Sequence, residues 1–121
     1  MGLDQNAWLK DKEGNDVGTF YWRKHSRLQE FMQELWMKKT GETDERLFNC
    51  QTLTLNEEDL INLKAAVTNE YSDHFCEGGF FWGHQFQEKQ AEYYKEQDIE
   101  FSEGAIKCLE RGGSVIYECW Y

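Results

Sequence analysis

The sequence contains no proline, and no stretch of it is rich in serine or glycine. Nothing in it therefore marks a linker, and no internal repeat or low-complexity tract interrupts it. The 121 residues are expected to form one domain, 1–121. No run approaches the ~20 apolar residues that a membrane-spanning helix needs. The opening MGLDQNAWLKDKEG has no apolar signal-peptide core. The expectation is a soluble chain of the cytoplasm, where free thiols are the default state of its four cysteines. None of these forms a C-x-x-C pair. The chain also lacks a G-x-x-x-x-G-K-[ST] phosphate loop and a G-x-S-x-G nucleophile elbow.

Basic residues are scarce. Thirteen Lys and Arg stand against 23 Asp and Glu, giving a formal charge of −10. Sequence-independent attachment to nucleic acid or to an anionic membrane needs phosphate neutralisation by cations, so neither partner is expected.

Aromatic residues, by contrast, are abundant: five Trp, six Tyr and eight Phe. Each can bury roughly 150–250 Å², and a domain of this size cannot place all of them inside. An exposed aromatic patch is expected, and with it a contact surface for a protein partner or a second copy of the chain.

The hydropathy pattern predicts an α+β fold. Residues 3–10 and 17–22 read as a hairpin around Lys12–Asp16. Leu28, Phe31, Met32, Leu35 and Trp36 form one stripe of a helix over about 24–39, stopped by Gly41. LFNCQTLTL, 47–55, reads as a strand. A second helix begins at Asn56 or Thr54 and ends near Asn69. Residues 70–97 show no clean period apart from a short strand at 80–82. A third helix is expected over about 98–111, ended by Gly112-Gly113, and SVIYECWY as a final strand paired with the hairpin. The expected architecture is a mostly antiparallel sheet of about four strands carrying about three helices.

Two segments stand out as candidate binding sites. In Tyr21-Trp22-Arg23-Lys24-His25 a strand turns directly into a helix. Cations at a helix start are unfavourable unless an anion sits there, so a phosphate or carboxylate pocket is one reading, and ion pairing with surface acids is the other. In Gly78-Gly79-Phe80-Phe81-Trp82-Gly83-His84 successive aromatics must point to opposite faces. Phe81 or Trp82, with His84, is a candidate stacking platform or partner anchor. His74, Cys76 and His84 are the only loose metal-ligand grouping, and their spacing matches no closed zinc site. No catalytic residue, metal or cofactor is assigned.

These segments, with Met1-Gly2-Leu3-Asp4, resemble a family of small bacteriophage proteins. Its members start Met-Gly-Leu-Asp, carry a Tyr-Trp-Arg-Lys strand-to-helix junction and a Gly-Phe-Phe-Phe/Trp-Gly segment, and end in an aromatic strand. The matching residues are 1–4, 21–24, 79–83, the stretch from Tyr93-Tyr94 to Leu109, and 117–121. His25-Ser26 departs from the Ala-Asn common there. Such proteins are sometimes labelled phosphoglycerate kinase, but this chain is far too short for that two-domain enzyme. The resemblance implies an accessory protein that binds and inhibits a host or antiviral-defence protein of the infected cell. The alternatives are a binder of a small anion such as a nucleotide signal, and a small cysteine- or metal-dependent enzyme.

Overall fold

The computed structural model describes residues 3–69, 71 and 87–121. Four strands form one antiparallel sheet: β1 (Asp4–Lys10), β2 (Asp16–Arg23), β3 (Thr52–Leu55) and β4 (Ser114–Trp120), in the order β2-β1-β4-β3. Three helices accompany it: α1 (Ser26–Thr40), α2 (Glu57–Thr68) and α3 (Gln87–Glu110). This is the α+β architecture that the hydropathy pattern predicts. The C-terminal strand pairs with the hairpin and takes a central position beside β1, with Ala7 opposite Tyr117.

Alternation along the strands sorts the two faces of the sheet. Gln5, Ala7 and Leu9 of β1, Trp22 of β2, Leu53 and Leu55 of β3, and Val115, Tyr117 and Cys119 of β4 are buried on one face. Under that face an aromatic chain crosses the core. Phe101 meets Trp22 edge-on at 5.2 Å between ring centroids, Tyr117 follows at 6.4 Å from Trp22, and Phe48 stacks on Trp36 at 5.1 Å. The residues of alternate parity face the other way, and no described element covers them.

The helix ends follow local rules. Gly41 adopts the left-handed conformation (φ 76°) and donates its N–H to Met37 O, closing α1. Asn56 caps α2 in a reciprocal capping box with Asp59. Lys39 at the end of α1 donates to both Asp59 and Thr54 O, tying the two helices together. At the end of α3, Gly113 N–H reaches Cys108 O and Gly112 N–H reaches Leu109 O, a Schellman pair with Gly112 at φ 84°.

Two expectations are corrected. The segment 47–55 is not one strand: Glu45–Phe48 forms a short 3-10 helix, capped by Asp44 accepting from Arg46 N–H, and only Thr52–Leu55 pairs in the sheet. Helix α3 begins at Gln87, not near Asp98. Its inner stripe is Tyr94, Asp98, Phe101, Ala105 and Cys108, and the fully buried acid in that stripe breaks the apolar period. The strand expected at 80–82 lies outside the described residues.

Candidate functional site

The strand-to-helix junction is built by two unusual backbone conformations in succession. Lys24 is left-handed (φ 57°) and its N–H bonds to Leu3 O at 2.8 Å. His25 follows at φ −82° and ψ 81°, with Ser26 N–H reaching back to Lys24 O. That is an inverse γ-turn. Together they reverse the strand within two residues and swing the His25 ring into the interior.

There His25, Trp22 and Tyr71 converge on one carboxylate. Trp22 Nε1–H donates to Asp98 Oδ1 at 2.6 Å, and Tyr71 Oη–H donates to Asp98 Oδ2 at 2.7 Å. His25 Nε2 lies 2.6 Å from the same Oδ2. A carboxylate only accepts, so Nε2 carries the proton. Both His25 and Asp98 are wholly buried. The imidazole stacks on Tyr94 at 5.3 Å and meets Tyr71 edge-on. Burial, reinforced by the neighbouring Asp98 charge, holds the Tyr71 phenol well above the ordinary tyrosine range.

The polar network continues across the sheet. Gln5 accepts from His25 N–H and donates to His25 O and Tyr117 Oη. Tyr117 donates to Gln29 Oε1 at 2.5 Å, and Gln29 donates to Cys119 Sγ. Almost every polar atom along this path has a partner, as a buried network requires. The exception is His25 Nδ1, which has none among the described residues. A carboxylate-oriented imidazole with one free nitrogen has the layout of a general base. Here, however, tyrosine rings pack on it and solvent does not reach it, so the arrangement serves as a pin for the junction.

The predicted site residues therefore divide. Trp22 and His25 are interior and anchored on Asp98, so neither is placed to stack a base or touch an anion at the surface. Tyr21, Arg23 and Lys24 are exposed. Tyr21 and Arg23 project from the bare face of β2, where Tyr21 Oη–H bonds to Asp4 at 2.6 Å and its pKa rises through that bond. The five residues do not line one cleft. Phe81, Trp82 and His84, like His74 and Cys76, lie outside the described residues. Among the described residues, no cluster of His, Cys, Asp or Glu is arranged to hold a metal. Sequence reasoning missed Asp98, Tyr71 and Gln5. The one available signal was an acid at the stripe position between Tyr94 and Phe101.

The bare sheet face is the second feature. Its rows run across the strands: Thr19, Trp8, Ile116 and Thr54; Tyr21, Asn6, Glu118 and Thr52; Arg23, Asp4 and Trp120. Trp120 and Tyr21 are 43% and 51% exposed, with Trp8 and Ile116 half-buried between the strands. The edge of β2 is less available than its face. Gln97 of α3 donates to Tyr21 O, and Tyr94 Oη accepts from Arg23 N–H, so side chains already occupy the backbone groups that β1 leaves open.

Comparison with family models, curated proteins and solved structures finds no match to this chain.

Proposed function

We propose that this chain works stoichiometrically, by binding a protein partner on the bare face of its sheet. One observation carries the reading: Trp8, Tyr21, Ile116 and Trp120 share a four-stranded surface that no described element covers. Aromatic side chains on a rigid platform are the residue types that dominate protein interfaces, because they bury much area at little entropy cost. Addition of a partner strand to β2 is a poorer mode, since Gln97 and Tyr94 occupy that edge. The formal charge of −10 favours a partner with basic residues around an apolar patch over a nucleic acid. The resemblance to small phage proteins supplies a context, in which the bound protein is a host or defence factor whose own surface is blocked.

The test is capture by the immobilised chain, repeated with a Tyr21→Ala/Trp120→Ala double variant and an Ile61→Ala control on the exposed side of α2. One dominant partner should be retained by the wild type and the control, and about tenfold or more weakly by the double variant. Equal retention by the double variant would overturn the proposal. So would sedimentation showing that this face closes on a second copy of the chain.

A further inference from the structure

A cleft of about 450 Å³ opens between the β1–β2 turn and the last turns of α3. Its size falls in the range of small-molecule sites. Its apolar floor is made by Leu9 and Gly104, with Val17 at the mouth and Lys12, Lys107 and Arg111 around the rim.

The sequence makes the room through two glycines. A Cβ on Gly18 of β2 or Gly104 of α3 would stand 3.6 Å or 3.8 Å from the Leu9 side chain. Without side chains there, strand and helix leave space over Leu9. The pairing of β1 with β2 shifts at Leu9/Lys10, which passes over Val17 and leaves it 59% exposed at the mouth.

The charge around this opening is unusual for the chain. Acids outnumber bases 23 to 13, and four of the other cations find carboxylates: Lys10 with Asp16, Lys39 with Asp59, Arg46 with Asp44, Lys64 with Glu103. Lys12, Lys107 and Arg111 pair with none among the described residues. Two acids also line the cleft. Asp11 is held by its own turn, with Oδ1 accepting from Glu13 and Asn15 N–H, both at 2.9 Å. Those bonds orient Asp11 but leave its charge, so Asp11 and Glu13 together set two carboxylates against the three cations.

Cations near a helix C-terminus are often explained by its exposed carbonyls. At this terminus Gly112 and Gly113 already satisfy Leu109 O and Cys108 O, and Arg111 N–H satisfies Lys107 O. Lys12, moreover, comes from the opposite wall. Cys108 is held by Lys10 O at 3.1 Å and forms part of the wall.

The geometry points to a binding site for a small amphiphilic anion, with an aliphatic body over Leu9, Val17 and Gly104 and a phosphate or carboxylate head held by Lys12, Lys107 and Arg111. Among the described residues no aromatic ring lines the cleft, so an aliphatic body suits it better than a nucleobase. The site is separate from the bare sheet face and does not depend on a protein partner.

Amide chemical-shift titration tests this, with octyl phosphate, octanoate, inorganic phosphate and octylammonium as probes. Octyl phosphate and octanoate should give saturable shifts at Gly104, Lys107 and Gly112. Inorganic phosphate should bind about tenfold more weakly or worse, for want of the buried chain. Octylammonium should give none. A Lys107→Glu/Arg111→Glu variant should weaken octyl phosphate about tenfold or more, while Lys38→Glu, also on the surface, leaves it unchanged. Gly104→Leu should fill the floor and abolish binding of both octyl anions; the near-ultraviolet spectrum of each variant reports its folding. Equal affinity for phosphate and octyl phosphate would overturn the site, as would equal shifts with octylammonium or binding unaffected in a folded Gly104→Leu variant.

Discussion

His25 Nε2 lies 2.6 Å from Asp98 Oδ2, with both side chains withdrawn from solvent. The pair joins the start of α1 to the middle of α3, 73 residues away in sequence. Asp98 also accepts from Trp22 and Tyr71, so one carboxylate holds β2, the junction, α3 and the residue that follows the end of α2 together. Replacing it by alanine leaves three buried donors without an acceptor. Asp98→Ala should lose about 3–5 kcal/mol of stability in urea unfolding. Trp22→Phe, which removes one donor, should lose about 1–3 kcal/mol.

Lys24 tests the backbone side of the same junction. At φ 57° a non-glycine residue is strained. Lys24→Gly should be neutral or stabilising by up to about 1 kcal/mol, because relief of strain outweighs the extra freedom of the unfolded chain. Lys24→Val should be destabilising by about 1–3 kcal/mol, since a branched Cβ worsens the clash. A loss with valine and none with glycine in thermal unfolding would establish that the left-handed turn, not the lysine charge, is required.

Gly113 is required for a different reason. A Cβ there would collide with Lys10 O and with Cys108 Sγ, the latter at 2.6 Å. Neither the β1 backbone nor the pinned thiol can retreat easily. Gly113→Ala should cost about 1–3 kcal/mol in urea unfolding. Gly14→Asn is the contrast: at φ 86° nothing lies within 4 Å, and asparagine tolerates that conformation, so the loss should stay below about 1 kcal/mol.

The buried phenols set an alkaline limit. Burial holds Tyr71 and Tyr117 well above the ordinary value of 10.0. Between that value and their folded-state values the folded chain binds more protons than the unfolded one. Their contribution is therefore intact below pH 10.0 and is lost as pH rises beyond it. Stability should fall by about 1.4 kcal/mol per pH unit for each phenol that stays protonated. Urea midpoints across the alkaline range check this, with tyrosinate absorbance of the two residues appearing only on unfolding.

Cys119 should resist alkylation. Burial raises its thiol from 9.0 to about 12, which leaves about a thousandfold less thiolate than an ordinary cysteine. Peptide mapping after brief iodoacetamide treatment of the folded chain should find Cys50, which is exposed, modified well before Cys119.

Where a stretch of sequence had one clear period, it was enough. The stripe from Leu28 to Trp36 reads as α1, Asn56 with three following acids reads as the start of α2, and Gly112-Gly113 reads as the end of α3, because each signal acts within a turn or two of backbone. Helix α3 is the counter-example. Asp98 occupies an apolar position of its stripe, and its burial makes sense only once Trp22, His25 and Tyr71 are known to meet it. The 3-10 helix at 45–48 failed for a related reason: LFNC has strand-like residues, but Phe48 is buried against Trp36 and Tyr117 and not in a ladder.

Composition and local pattern by themselves determined an acidic α+β chain, the hairpin, most of the helix boundaries and an aromatic surplus that the core cannot absorb whole. Only the tertiary structure decided which aromatics are inside. Trp22 and Tyr21 are neighbours on one strand, yet one donates to a buried carboxylate and the other lies on the bare face. Strand alternation requires that they differ, but the side on which the helices pack assigns the faces. The same packing turned His25 inward and brought Lys12 of the β1–β2 turn to Lys107 and Arg111 at the end of α3, relationships between residues far apart in sequence.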